Sequence, residues 1–157
     1  MLRFWFKYKP VSNGFFLPYI SAELSAMDKT VLPDFLCDTG AVTSWAKMHL
    51  FAVLFPNEYD QIKNNLPTTG IVDASGRPIL GVKKLVTISI YPAGNRSKKI
   101  SFSENIYFGN IGFNLLGQTA FETIGGHFHN FPTSRRGRKF AIFTNNLGQG
   151  GNPPPAI

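Results

Sequence analysis

Apolar and polar residues alternate in short runs along most of this chain, the period expected when successive side chains point to opposite faces of a strand. Such runs predict strands at 2–8, 16–24, 31–37, 70–73, 79–90, 100–108, 113–116 and 139–143. Asn13-Gly14, Ser75-Gly76 and Gly94-Asn95 are turn dipeptides lying between them. Two stretches follow a helical period instead. In 44–55, Trp45, Met48, Ala52 and Phe55 share one face, Pro56 ends the run, and 57–64 follow as a second short helix. The segment 118–124 is a further short helix, closed by Gly125-Gly126 as its C-cap. No internal repeat is present. The pattern predicts a mostly β domain over 16–144, preceded by an N-terminal strand and extension at 1–15. A flexible Gly/Pro tail is expected at 145–157, with Pro153-Pro154-Pro155 near its end.

Composition narrows this picture. A chain of 157 residues with 43% hydrophobic content and 15 Phe is long enough to bury one proper core and too apolar for disorder. No apolar run approaches the roughly 18 residues that span a membrane. Residues 1–9 mix Arg3, Lys7 and Lys9 with aromatics, which reads as a strand and not a signal peptide. The single cysteine, Cys37, excludes an internal disulfide framework and suits a reducing compartment, with the cytoplasm the expected location. The net charge is +7. It gathers at Lys83-Lys84, Lys98-Lys99 and Arg135-Arg136-Gly137-Arg138-Lys139, all beside predicted turns. Without an aromatic-interleaved motif such charges read as solvated surface, so a nucleic-acid interface is the weaker reading.

The candidate chemistry begins at Phe35-Leu36-Cys37-Asp38-Thr39-Gly40-Ala41. A carboxylate directly after a buried apolar strand is costly unless something uses it. Further on, Asn114-Leu115-Leu116-Gly117-Gln118 is an apolar strand ending in glycine and opening a helix. Between them, 69–81 form two short apolar arms around Asp73-Ala74-Ser75-Gly76. These three elements, in this order, resemble the retropepsin-like aspartic proteases, and the resemblance covers roughly 16–143. It implies a closed acid-protease β-barrel with one short C-terminal helix and a helical insert after the active-site loop. Asp38 would be the catalytic carboxylate, Thr39 the residue fixing the active-site loops, and Gly40 the point where substrate backbone is admitted. Ala41 would line the cleft, and Asp73, Ala74, Ser75 and Gly76 would form the flap that closes over an extended peptide. Retroviral members commonly pair an Asp two residues after that glycine with an Arg following the second glycine. Val42 and Gln118 stand there instead, which points to a cellular or bacterial member.

Aspartic protease chemistry needs two carboxylates sharing one proton, and the chain carries one Asp-Thr-Gly. The resemblance therefore implies a homodimer with Asp38 from each copy at a two-fold axis, the terminal strands being candidates for its interface. The expected activity is that of an aspartic endopeptidase without cofactor or metal. The alternative is a catalytically silent module of the same fold, used for dimerisation or for holding an extended peptide. His127 and His129 are too few for a zinc site, and Cys37 has no evident histidine base.

Overall fold

Prolines set the first strand boundaries in the structure, a computed structural model that describes residues 2–10, 16–91, 99–124, 127–131 and 139–144. The predicted turns at 13–14 and 94–95, the glycine C-cap at 125–126, the basic run 135–138 and the tail 145–157 lie outside the described residues. The predicted strand 16–24 is interrupted at Pro18, and the predicted strand 31–37 at Leu32-Pro33, because proline brings no N–H to a ladder. The carbonyls beside these breaks stay in use. Pro18 O accepts from Cys37 N at 2.9 Å, and Pro33 O from Ala22 N at 3.1 Å.

The strands in chain order are β1 (Leu2–Lys7), β2 (Lys9–Pro10), β3 (Phe16–Leu17), β4 (Tyr19–Ala26), β5 (Lys29–Val31), β6 (Asp34–Cys37) and β7 (Trp45–Lys47). Helices α1 (Met48–Leu54) and α2 (Pro56–Ile62) follow. Then come β8 (Thr68–Val72), β9 (Pro78–Ile90), β10 (Ile100–Gly109), β11 (Asn114–Leu116), helix α3 (Gln118–Thr123), β12 (His127–Phe131) and β13 (Lys139–Thr144). The main sheet runs β5-β4-β6-β11-β7-β10-β9-β8. Strand β4 also pairs with β9, which closes β4-β6-β11-β7-β10-β9 into a six-stranded barrel. The expected closed, mostly β architecture is what the chain forms.

Alternation along β4, β9 and β10 fills the barrel with Ile20, Ala22, Leu24, Val86, Ile88, Ile90, Phe102, Ile106 and Phe108. Burial of this apolar surface is the main favourable term holding the barrel together. Helix α1 covers one side with Leu50, Phe51 and Leu54, and Phe51 meets Phe108 at 5.6 Å between ring centroids. A separate three-stranded antiparallel sheet, β1-β13-β12, joins the two ends of the described residues, from Leu2 opposite Thr144 to Lys7 opposite Lys139.

The helix predicted over 44–55 needs correction. Trp45–Lys47 form strand β7, parallel to β10, with Trp45 stacked on Tyr107 at 4.8 Å. Ladder bonds and aromatic packing outweigh local helical period there. The buried face of α1 is consequently Leu50, Phe51 and Leu54, and Ala52 is only partly covered. Pro56 ends α1 as expected, yet it also occupies the first turn of α2, where its missing N–H costs nothing.

Candidate active site

Strands β6 and β7 are consecutive in sequence but not neighbours in the sheet, because β11 lies between them. It pairs parallel to β6, with Leu115 opposite Leu36 and Leu116 opposite Cys37, and antiparallel to β7 through Leu115 and Trp45. The segment 38–44 must therefore loop around the end of β11. Asp38 stands at the start of that loop, where its N–H donates to Leu116 O at 2.9 Å.

Three main-chain and side-chain bonds tie the loop to the turn after β11. Gln118 N donates to Ala41 O at 2.8 Å, Thr119 N to Val42 O at 3.0 Å, and Gln118 Nε2 to Thr39 O at 2.7 Å. Glycine at 117 is required by this approach: a Cβ there would lie 2.5 Å from Thr43 O and 2.8 Å from Ala41 O. Buried Asn114 fastens the other end of β11, accepting from Lys47 N at 2.8 Å and donating to Asp34 O at 3.0 Å. Both halves of its amide are used.

Asp38 is half-buried; Thr39 and Gly40 are exposed and Ala41 is partly covered. Asp38 Oδ1 accepts from Gly40 N at 2.9 Å, so the carboxylate is fixed by its own loop. A cleft of about 620 Å³ opens over Asp38. One wall is Leu115 and the turn Asn110–Phe113; the other is the β8–β9 hairpin, through Asp73, Ala74 and the segment 77–80. The hairpin thus faces Asp38 across the cleft. Of the residues expected to touch substrate, Asp73 and Ala74 line this cleft, whereas Ala41, Ser75 and Gly76 are not among its lining residues.

At the hairpin tip, Asp73 Oδ1 accepts from Ser75 Oγ at 2.6 Å, Ser75 N at 2.8 Å and Arg77 N at 3.0 Å, while Oδ2 lies 3.2 Å from Arg77 Nε. Gly76 takes φ +81°, the left-handed turn position. The Ser75 hydroxyl, then the Arg77 backbone, lower the Asp73 pKa to about 2.

Beneath the loop lies Glu104, in the buried phase of β10. Burial pushes its pKa above the usual 4.5; the hydroxyls of Thr119 and Ser44 pull partly the other way. Ser44 Oγ donates to Glu104 Oε2 at 3.4 Å and accepts from Gly117 N at 3.1 Å, whereas Glu104 Oε1 and Thr119 Oγ1 complete no hydrogen bond. Sequence reading passed over this residue. The signal was available: a carboxylate at the same alternating phase as Phe102 and Ile106 is an inward charge. Gln118, by contrast, carries no signal of its bond in the sequence: its amide links the turn after β11 to the Thr39 carbonyl without any charge.

Burial also raises the pKa of Cys37, far from anything a nucleophile needs. Among the described residues no group of three or more His, Cys, Asp or Glu could hold a metal ion, and no helix is long and apolar enough to cross a membrane.

The fold is similar to that of two solved aspartic proteases. A retropepsin-like aspartic protease from Rickettsia conorii aligns over 90% of this chain and 91% of its own, at 14% identity and a TM-score of 0.47. The EIAV protease, complexed with the inhibitor HBY-793, aligns over 73% of this chain and 94% of its own, at 19% identity and a TM-score of 0.41. No family model matches the sequence. No curated protein matches it significantly.

Proposed function

We propose that the chain is an aspartic endopeptidase, active as a two-fold homodimer that hydrolyses extended peptides between two Asp38 carboxylates. The observation that carries this reading is the crossing of the Asp38-Thr39-Gly40 loop with the Leu116-Gly117 strand end, roofed by a hairpin across a cleft. Such a crossing fixes one carboxylate at the floor of a peptide-sized groove.

The cleft contains a second carboxylate, Asp73, but it is unsuited to hold the shared proton. Its oxygens are engaged by Ser75 and Arg77, and its pKa of about 2 keeps it ionised. The second acid must then come from another copy of the chain, which a two-fold axis beside the exposed Thr39 would supply. Two carboxyls at close range cannot both ionise easily, so the pair retains one proton. The ionised member takes a proton from a water molecule, which attacks the peptide carbonyl. The protonated member gives its proton to the carbonyl oxygen; as the C–N bond then breaks, the proton taken from water passes to the leaving amine and the hydroxyl of the intermediate returns a proton to the pair. The hairpin arms would bind the peptide main chain as an added strand.

Asp38→Asn tests the assignment. The variant should keep the parent's circular dichroism spectrum and lose peptide cleavage to background. Cleavage equal to the parent's would remove Asp38 from the chemistry. A parent that binds extended peptides and never cuts them would be the silent module.

A further inference from the structure

We propose that the Asp38 cleft continues into a second, basic cavity that receives an acidic side chain of the substrate, about four residues from the bond cut. This inference rests on the endopeptidase reading and assigns part of its specificity. The second cavity, about 650 Å³, is lined by Tyr19, Pro33, Asp34, Lys47, His49 and Phe113 among others. It shares Gly112 and Phe113 with the Asp38 cleft, so the two cavities adjoin at that turn.

Strand geometry sets the distance. Phe35 and Cys37 point into the core, which leaves Asp34, Leu36 and Asp38 on the outer face at alternate positions. Asp38 borders one cavity and Asp34 the other. Four residues of strand at about 3.3 Å each separate them by about 13 Å. A peptide lying extended along this face has the same rise, so its side chain about four positions from the scissile bond reaches the second cavity. Leu32 and Phe113, 54% and 50% exposed, give the rim an apolar surface for the intervening residues.

The charges favour an anion. Asp34 is already neutralised, with Oδ1 2.6 Å from Lys9 Nζ and 2.6 Å from Ser21 Oγ. Burial opposes its ionisation, but the hydrogen bonds from Lys9 and Ser21, with the Lys9 charge, hold its pKa below the ordinary value. Lys47 has its backbone N–H on Asn114, yet its ammonium belongs to no ion pair among the described residues. His49 beside it adds a ring N–H donor. With the Lys9–Asp34 pair cancelled, Lys47 leaves the cavity positive. A glutamate or aspartate side chain would complete that pairing.

The experiment compares kcat/KM for one cleavable peptide carrying Glu, Gln or Lys at the third, fourth or fifth position on each side of the scissile bond. The expected order at one such position is Glu above Gln above Lys, with about fivefold between the first and last, the size of a part-exposed ion pair. Lys47→Glu should reverse that order, and Lys47→Gln should flatten it if the charge reversal prevents folding. Equal kcat/KM for the three peptides at every position would overturn the proposal while leaving the endopeptidase intact. A Glu preference that survives both Lys47 variants would move the acidic subsite elsewhere. Failure to cleave any of the peptides, or cleavage insensitive to Asp38→Asn, would instead remove the endopeptidase reading on which this rests.

Discussion

Gly117 is where the loop and the strand end come closest, and the contact is backbone on backbone. No flexible side chain can give way there, since a Cβ would meet the carbonyls of Thr43 and Ala41. Gly117→Ala should therefore lower stability by about 1–3 kcal/mol, the usual cost of overpacking, and reduce cleavage by displacing Asp38. Denaturant unfolding measures the first effect; a midpoint unchanged from the parent's would show that the crossing relaxes freely. Gln118 and Glu104 show what residue-level reading can and cannot supply. Asp38, Thr39, Gly40 and Gly117 stood out because the order of their two motifs resembles that of a known family, and the structure brings those two segments together. The amide link from Gln118 to Thr39 depends on a distant segment arriving beside it, and the buried pair of Glu104 and Ser44 depends on residues 60 apart in sequence. Spacing alone cannot bring such partners together.

Among the elements, the β8–β9 hairpin was legible as two apolar arms around a Ser-Gly turn, and it forms a wall of the Asp38 cleft. Its tip is braced. The Asp73 pKa is depressed, so the bracing is present above the ordinary carboxylate value of 3.8 and is lost as pH falls through about 2. The hairpin should keep its tip through the mildly acidic range in which a proton-sharing carboxylate pair works. Carbon-13 titration should place the Asp73 carboxyl near its depressed value, and Ser75→Ala should raise it toward 3.8 by removing the largest contribution. A titration unaffected by Ser75→Ala would contradict the network. Elsewhere tertiary context overrode local pattern. The turn between β4 and β5 uses Met27 and Asp28 at φ +50° and +64°, where glycine or asparagine is the usual signal. Met-Asp gives little warning, so 24–31 were read without that hairpin. Trp45–Lys47 were read as helix because an aromatic and an apolar residue at helical spacing look alike in either state.

At the scale of the molecule, the proposed function makes this chain one half of a two-fold site. Its closed barrel fixes one carboxylate, its hairpin faces that carboxylate, and the other acid within the cleft is already committed to the hairpin's own tip. Alternating strands and three motifs in order made the barrel legible. The pairing of β1 with β13, which brings the two ends of the described chain into one sheet, was not, because neither run specifies its partner. Every functional step proposed for this protein requires two Asp38 side chains from different copies to divide one proton between them. Mixing parent protein with Asp38→Asn protein, after dissociation and random reassociation, asks this directly. With equal amounts of each, peptide cleavage should fall to about one quarter of that of the same total amount of parent, because only that fraction of dimers carries both carboxylates. Cleavage at about one half, proportional to the parent present, would show that a single chain's carboxylate suffices and would contradict the account.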